Sequence, residues 1–107
     1  MTSAARHYQE EIETARRVAL DVLGAIGAGT ISHVRAECDV RELELDWAAN
    51  WPGSLFHGSP WFEPTGQRLT AFHASSNARK VNEYRLTYEG RRVFRERSAR
   101  LATENEA

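Results

Sequence analysis

The sequence predicts a small α+β domain built of three helices, a two-stranded β-hairpin and a closing C-terminal helix. Three observations carry that expectation. Residues 6–26 place Tyr8, Ile12, Ala15, Ala19, Val22 and Ile26 at steps of four and three, which aligns them on one helical face. Residues 67–74 and 80–87 are enriched in β-branched and aromatic side chains and flank the polar stretch 75–79, the pattern of a hairpin. Thr87 then stands as an N-cap before a basic segment that carries Val93, Phe94 and Leu101. At 107 residues and 12.1 kDa the chain fits one domain, residues 1–107, with fraying expected at 1–5 and 103–107.

Each element has a local reason. Gly27 or Gly29 can adopt the positive φ that ends the first helix. Thr30 is positioned to cap a second helix that turns Ile31 and Val34 inward, with Ala36 and Cys38 near its end. Asp39 can cap a further turn, because Glu42 follows three residues later and Val40, Leu43 and Trp47 share a helical face. The same run, Glu42-Leu43-Glu44-Leu45-Asp46-Trp47, also alternates as a strand does, so residues 39–47 fit both a helix and a strand. Asn50 can cap the third helix, where Pro52 is tolerated in the first turn and Trp51, Leu55 and Phe56 form an apolar side. Gly58 ends it and Ser59-Pro60 makes the turn into the hairpin.

Composition narrows the function. Hydrophobic residues make up 41% and charged residues 27%, ordinary globular usage, so a chain disordered throughout is excluded. No apolar run is long enough to span a bilayer and no secretory leader opens the chain, and the lone Cys38 cannot form an internal disulfide; together these point to the cytoplasm and away from the membrane. Net charge is −1, but it is unevenly spread: residues 1–50 hold five basic against nine acidic side chains, and residues 51–102 hold nine basic against four acidic. A basic second half points to an anionic partner.

Catalytic chemistry has no foothold in the sequence. His33 and Cys38 lie five apart, and His57 and His73 sixteen apart; neither spacing builds a zinc site. The glycines at 24, 27 and 29 follow a helix, whereas a dinucleotide-binding fingerprint needs a preceding strand. No enzyme activity, cofactor or metal is expected. Trp47, Trp51, Trp61, Phe56 and Phe62 crowd into sixteen residues, a density that suits a small core and also suits stacking on a partner.

Helices, hairpin and closing helix follow one another in the order of a winged helix-turn-helix domain. The stretch Tyr84-Arg85-Leu86-Thr87-Tyr88-Glu89-Gly90 resembles the tyrosine-x-leucine-threonine-x-x-glycine signature that closes the wing and opens the last helix in many winged-helix proteins. Upstream, Asn50-Trp51-Pro52-Gly53-Ser54-Leu55-Phe56, Gly66-Gln67-Arg68 and Ser76-Asn77-Ala78-Arg79-Lys80-Val81 are similar to small phage or mobile-element members of that class. The resemblance implies DNA binding, sequence-dependent or structural, in regulation or genome handling. It implies a recognition helix presenting Asn50, Trp51, Ser54 and His57 to base edges, and a wing presenting Arg68, Asn77, Arg79, Lys80 and Arg85 to phosphates or a minor groove. The recognition segment holds no Arg or Lys, so affinity has to come from the wing and the basic last helix. A homodimer is compatible with this class. The competing expectation is a protein-binding inhibitor or adaptor that uses the same frame and its aromatic zone against a protein partner.

Overall fold

The computed structural model describes residues 3–71 and 79–106. Its elements are α1 (Ser3–Ile26), β1 (Ala28–Gly29), α2 (Ile31–Val40), a single 3-10 turn (Trp51–Ser54), β2 (Phe62–Thr70), β3 (Lys80–Leu86) and α3 (Tyr88–Glu106). The three strands form an antiparallel sheet in the order β1-β3-β2, so the expected hairpin is present and gains a third strand. That third strand has two residues, too short to leave a periodic signal: Ala28 pairs with Arg85 and Gly29 with Tyr84.

α1 is the central helix. It buries Ile12, Ala15 and Ala19, as the periodicity predicts, and also Val18, Leu20 and Leu23 from a second side, because α2, the sheet and α3 all pack around it. The ends of the predicted stripe fall off the core: Tyr8 and Ile26 are exposed. Gly27 ends the helix at φ 91°, its amide donating to the Leu23 carbonyl at 2.9 Å. The Thr30 cap of α2 is confirmed. Its hydroxyl accepts from the Ser32 amide at 3.2 Å, while His33 Nδ1 accepts from the Thr30 amide at 3.0 Å and so fills the part that a glutamate plays in a capping box.

The predicted turn capped by Asp39 does not form. α2 runs through Asp39 to Val40, and Glu42 at φ 60° then breaks the helical path. Residues 43–47 are neither helix nor strand. They keep the strand-like alternation, with Leu43, Leu45 and Trp47 half-buried and Glu44 and Asp46 exposed, yet no neighbouring strand supplies a ladder. The predicted third helix is reduced to the 3-10 turn; its Trp51 and the Leu55 and Phe56 that follow it enter the core.

β2 begins at Phe62, five residues before the predicted start, and the expected strand residues 72–74 and loop residues 75–78 lie outside the described region. A register shift between Pro64 and Arg68, with Gly66 at φ 91°, bends the strand midway. Thr87 caps α3 as predicted: its hydroxyl accepts from the Gly90 amide at 3.0 Å and donates to the Pro60 carbonyl at 2.6 Å. Gly90 sits against the Trp61 carbonyl so closely that a Cβ would collide with it, which explains the glycine of the signature. The aromatic zone is chiefly core. Phe56 stacks on Tyr84 with centroids 4.1 Å apart and meets Phe62 edge-on at 5.3 Å.

Candidate nucleic-acid interface

The pairing of β2 with β3 separates the hairpin into two faces and two halves. Antiparallel partners share a face, so Phe62, Pro64, Arg68 and Thr70 stand with Leu86, Tyr84, Asn82 and Lys80. Near the base this face is apolar and enters the core through Phe62, Tyr84 and Leu86. Past the bend it runs clear of the core, and the same face now carries Arg68, Asn82, Thr70 and Lys80, all exposed. Lys80 Nζ donates to Thr70 Oγ1 across the pair at 3.3 Å.

Opposite this distal half lies the 3-10 turn, and between the two runs a groove of about 240 Å³. Its polar side chains are His57, Arg68, Lys80 and Asn82, set among Ile31, Pro52, Phe56 and Tyr84. Among the described residues no carboxylate lines it. The carboxylates of the hairpin are engaged elsewhere: Glu63 holds Arg85 at 3.1 Å and Glu83 accepts from the Thr65 hydroxyl at 2.8 Å. Among the described residues neither Arg68 nor Lys80 pairs with an acid.

Two side chains of α1 that sequence reasoning passed over hold the turn against that helix. Arg16, on α1, donates to the carbonyls of Leu55, Ser54 and His57 at 3.0, 2.9 and 2.6 Å, so one guanidinium anchors the whole exit of the turn. Burial draws its pKa below the ordinary arginine value, with the charge of Glu13 acting in the opposite sense. Glu11 is buried and accepts from the Trp51 indole at 3.1 Å and from the Asp46 amide at 3.0 Å, fixing the start of the turn. The sequence signal for each was only a charged residue next to a core position, Glu11 before Ile12 and Arg16 after Ala15.

The predicted contact residues do not all meet. His57, Arg68 and Lys80 are brought together in the groove. Ser54 and Asn50 are exposed beside it, and Asn50 makes no side-chain cap bond. Trp51 is a correction: at 6% exposure, with its indole N–H bonded to Glu11, it belongs to the core and offers nothing to a base edge. Arg85 is on the opposite face of β3, paired with Glu63, and so does not join the groove. Arg79 is exposed just before β3, and Asn77 lies outside the described residues. Among the described residues no helix is long and apolar enough to cross a membrane, and no cluster of His, Cys, Asp and Glu is arranged to hold a metal ion. Comparison with known protein families, characterised proteins and solved structures found no match to this chain.

Proposed function

We propose that this chain is a winged-helix type protein that binds duplex DNA through its hairpin, in regulation or genome handling of the kind small phage and mobile-element proteins perform, without catalysing a reaction. The observation that carries the reading is the groove in which Arg68, Lys80 and His57 converge with no carboxylate among them. Unneutralised cations on a projecting hairpin suit the closely spaced phosphates of a duplex. The element order and the capped Tyr84-to-Gly90 junction agree with the winged-helix resemblance.

The same geometry bears on specificity. A major groove is read by a helix long enough to lie in it, and the helical part between α2 and β2 is the 3-10 turn Trp51–Ser54, with Trp51 and the following Leu55 and Phe56 turned into the core. Few side chains are then left to meet base edges, so backbone contact dominates and sequence preference is weak. Mobility shifts on two duplexes of unrelated sequence, each at low and high salt, test both parts. The expected result is similar affinity for the two and a steep loss as salt rises. Failure to bind either duplex at low salt overturns the proposal in favour of the protein-binding adaptor.

A further inference from the structure

A second groove, of about 280 Å³, lies at the far end of α1, between β3 and the first turns of α3. Arg85, Arg91 and Arg95 rim it, and its floor is the half-buried Phe94 ring beside the side-chain-free backbone of Gly24 and Gly27. Among the described residues no carboxylate lines this groove either. Arg91 gives one N–H to the Leu86 carbonyl at 3.0 Å and Arg85 gives one to Glu63, which fixes both heads while leaving further donors on each guanidinium; Arg95 has no partner among the described residues. An arginine rim over an aromatic and glycine floor suits an acidic segment that carries one apolar side chain. The backbone of a duplex brings the charge, but its bases are stacked inside and leave nothing for the floor.

The chain itself presents such a segment. Val40, at the end of α2, is 75% exposed, the highest of the large apolar side chains described. Asp39, Glu42 and Glu44 surround it in sequence and are exposed, while the intervening Arg41 is turned back onto Glu37 at 2.8 Å and Asp21 at 3.2 Å. We propose that the arginine-rimmed groove of one molecule takes the Val40 segment of a second copy, Val40 meeting Phe94 and the acids meeting the arginines. The uneven charge of the two halves of the chain is complementary in that arrangement. The contact does not depend on DNA binding.

Sedimentation velocity of the full chain over a wide concentration range, at low and high salt and without DNA, tests it. Self-association at low salt that weakens as salt screens the charges is expected. Arg95→Glu is expected to weaken association by roughly tenfold or more, since it sets a carboxylate against the incoming acids. Val40→Ser changes only an exposed side chain, so it should lower association with an unchanged melt and carries the test if the arginine variant does not fold. A chain that stays monomeric at low salt, or association that neither substitution alters, overturns the proposal. So does a loss of DNA affinity in Arg95→Glu with association intact, which would make the groove a phosphate contact.

Discussion

Glu11 and Thr87 show how single side chains hold the parts of this molecule in place. Glu11 satisfies two donors that would otherwise be left without a partner, the Trp51 indole and the Asp46 amide. Glu11→Ala is therefore expected to cost about 1–3 kcal/mol, measured as a lowered midpoint in denaturant melts, because an unmet buried donor loses its full solvation. Thr87 combines an N-cap with a bond to the Pro60 carbonyl. Thr87→Ala should cost about 1–2 kcal/mol in the same assay, the upper part of the range for a lost cap. Cys38 is fully buried, and burial, assisted by Asp39 and Glu37 and opposed by Arg41, raises its thiol to about 11. The fold thus favours the neutral thiol: stability is unaffected below the ordinary value of 9.0 and declines as pH climbs from there toward 11, where an unfolded chain ionises more readily. A thiol reagent at neutral pH should modify Cys38 only in denaturant. The Thr87 cap was legible because Thr followed three residues later by Gly at a strand exit is a local pattern. Glu11 was not, since its partners are 35 and 40 residues away and no local rule connects them.

Elements were readable where their cause is local and misread where it is distant. α1, α2 and α3 follow from periodicity and caps, and both inward residues of β3, Tyr84 and Leu86, took the face that alternation assigns them. Leu86 is 3% exposed, so Leu86→Ala is expected to cost about 2–5 kcal/mol by calorimetry or denaturant melts; a loss under half a kcal/mol would place that face in solvent. The segment between α2 and β2 shows the opposite case. Its apolar spacing fits a helix and its alternation fits a strand, but what shapes it is α1: Glu11 ties its middle and Arg16 the exit of the 3-10 turn, while residues 43–46 ahead of that turn alternate without a ladder. Trp51 stands on the apolar side of the expected helix, and only the winged-helix resemblance presented it to base edges; its bond to Glu11 holds it inward. β1 was missed for the same reason, because Ala28 and Gly29 are strand only through their pairing with β3.

At the scale of the whole molecule, the proposed function depends on how far the hairpin reaches beyond the core. The radius of gyration is 14.3 Å, against about 13 Å for an ordinary domain of this length, which fits a core that leaves its distal strands projecting. Arg68 and Lys80 occupy that projecting half, where neither supports the packing of α1 against the sheet. Replacing both with alanine should therefore leave the unfolding free energy from denaturant melts unchanged to within about 0.5 kcal/mol, the usual range for surface substitutions. DNA affinity should nevertheless fall, and fall alike on duplexes of unrelated sequence, because phosphate contacts carry no base information. If each cation displaces one counterion on binding, the slope of log affinity against log salt should flatten by roughly two units in the double variant and about one in either single variant. The separation of the two readouts gives the prediction its force. Loss of affinity with an unchanged slope would mean that the alanines disturbed the groove indirectly, and affinity equal to the parent's at both salt concentrations would remove the hairpin from any DNA contact.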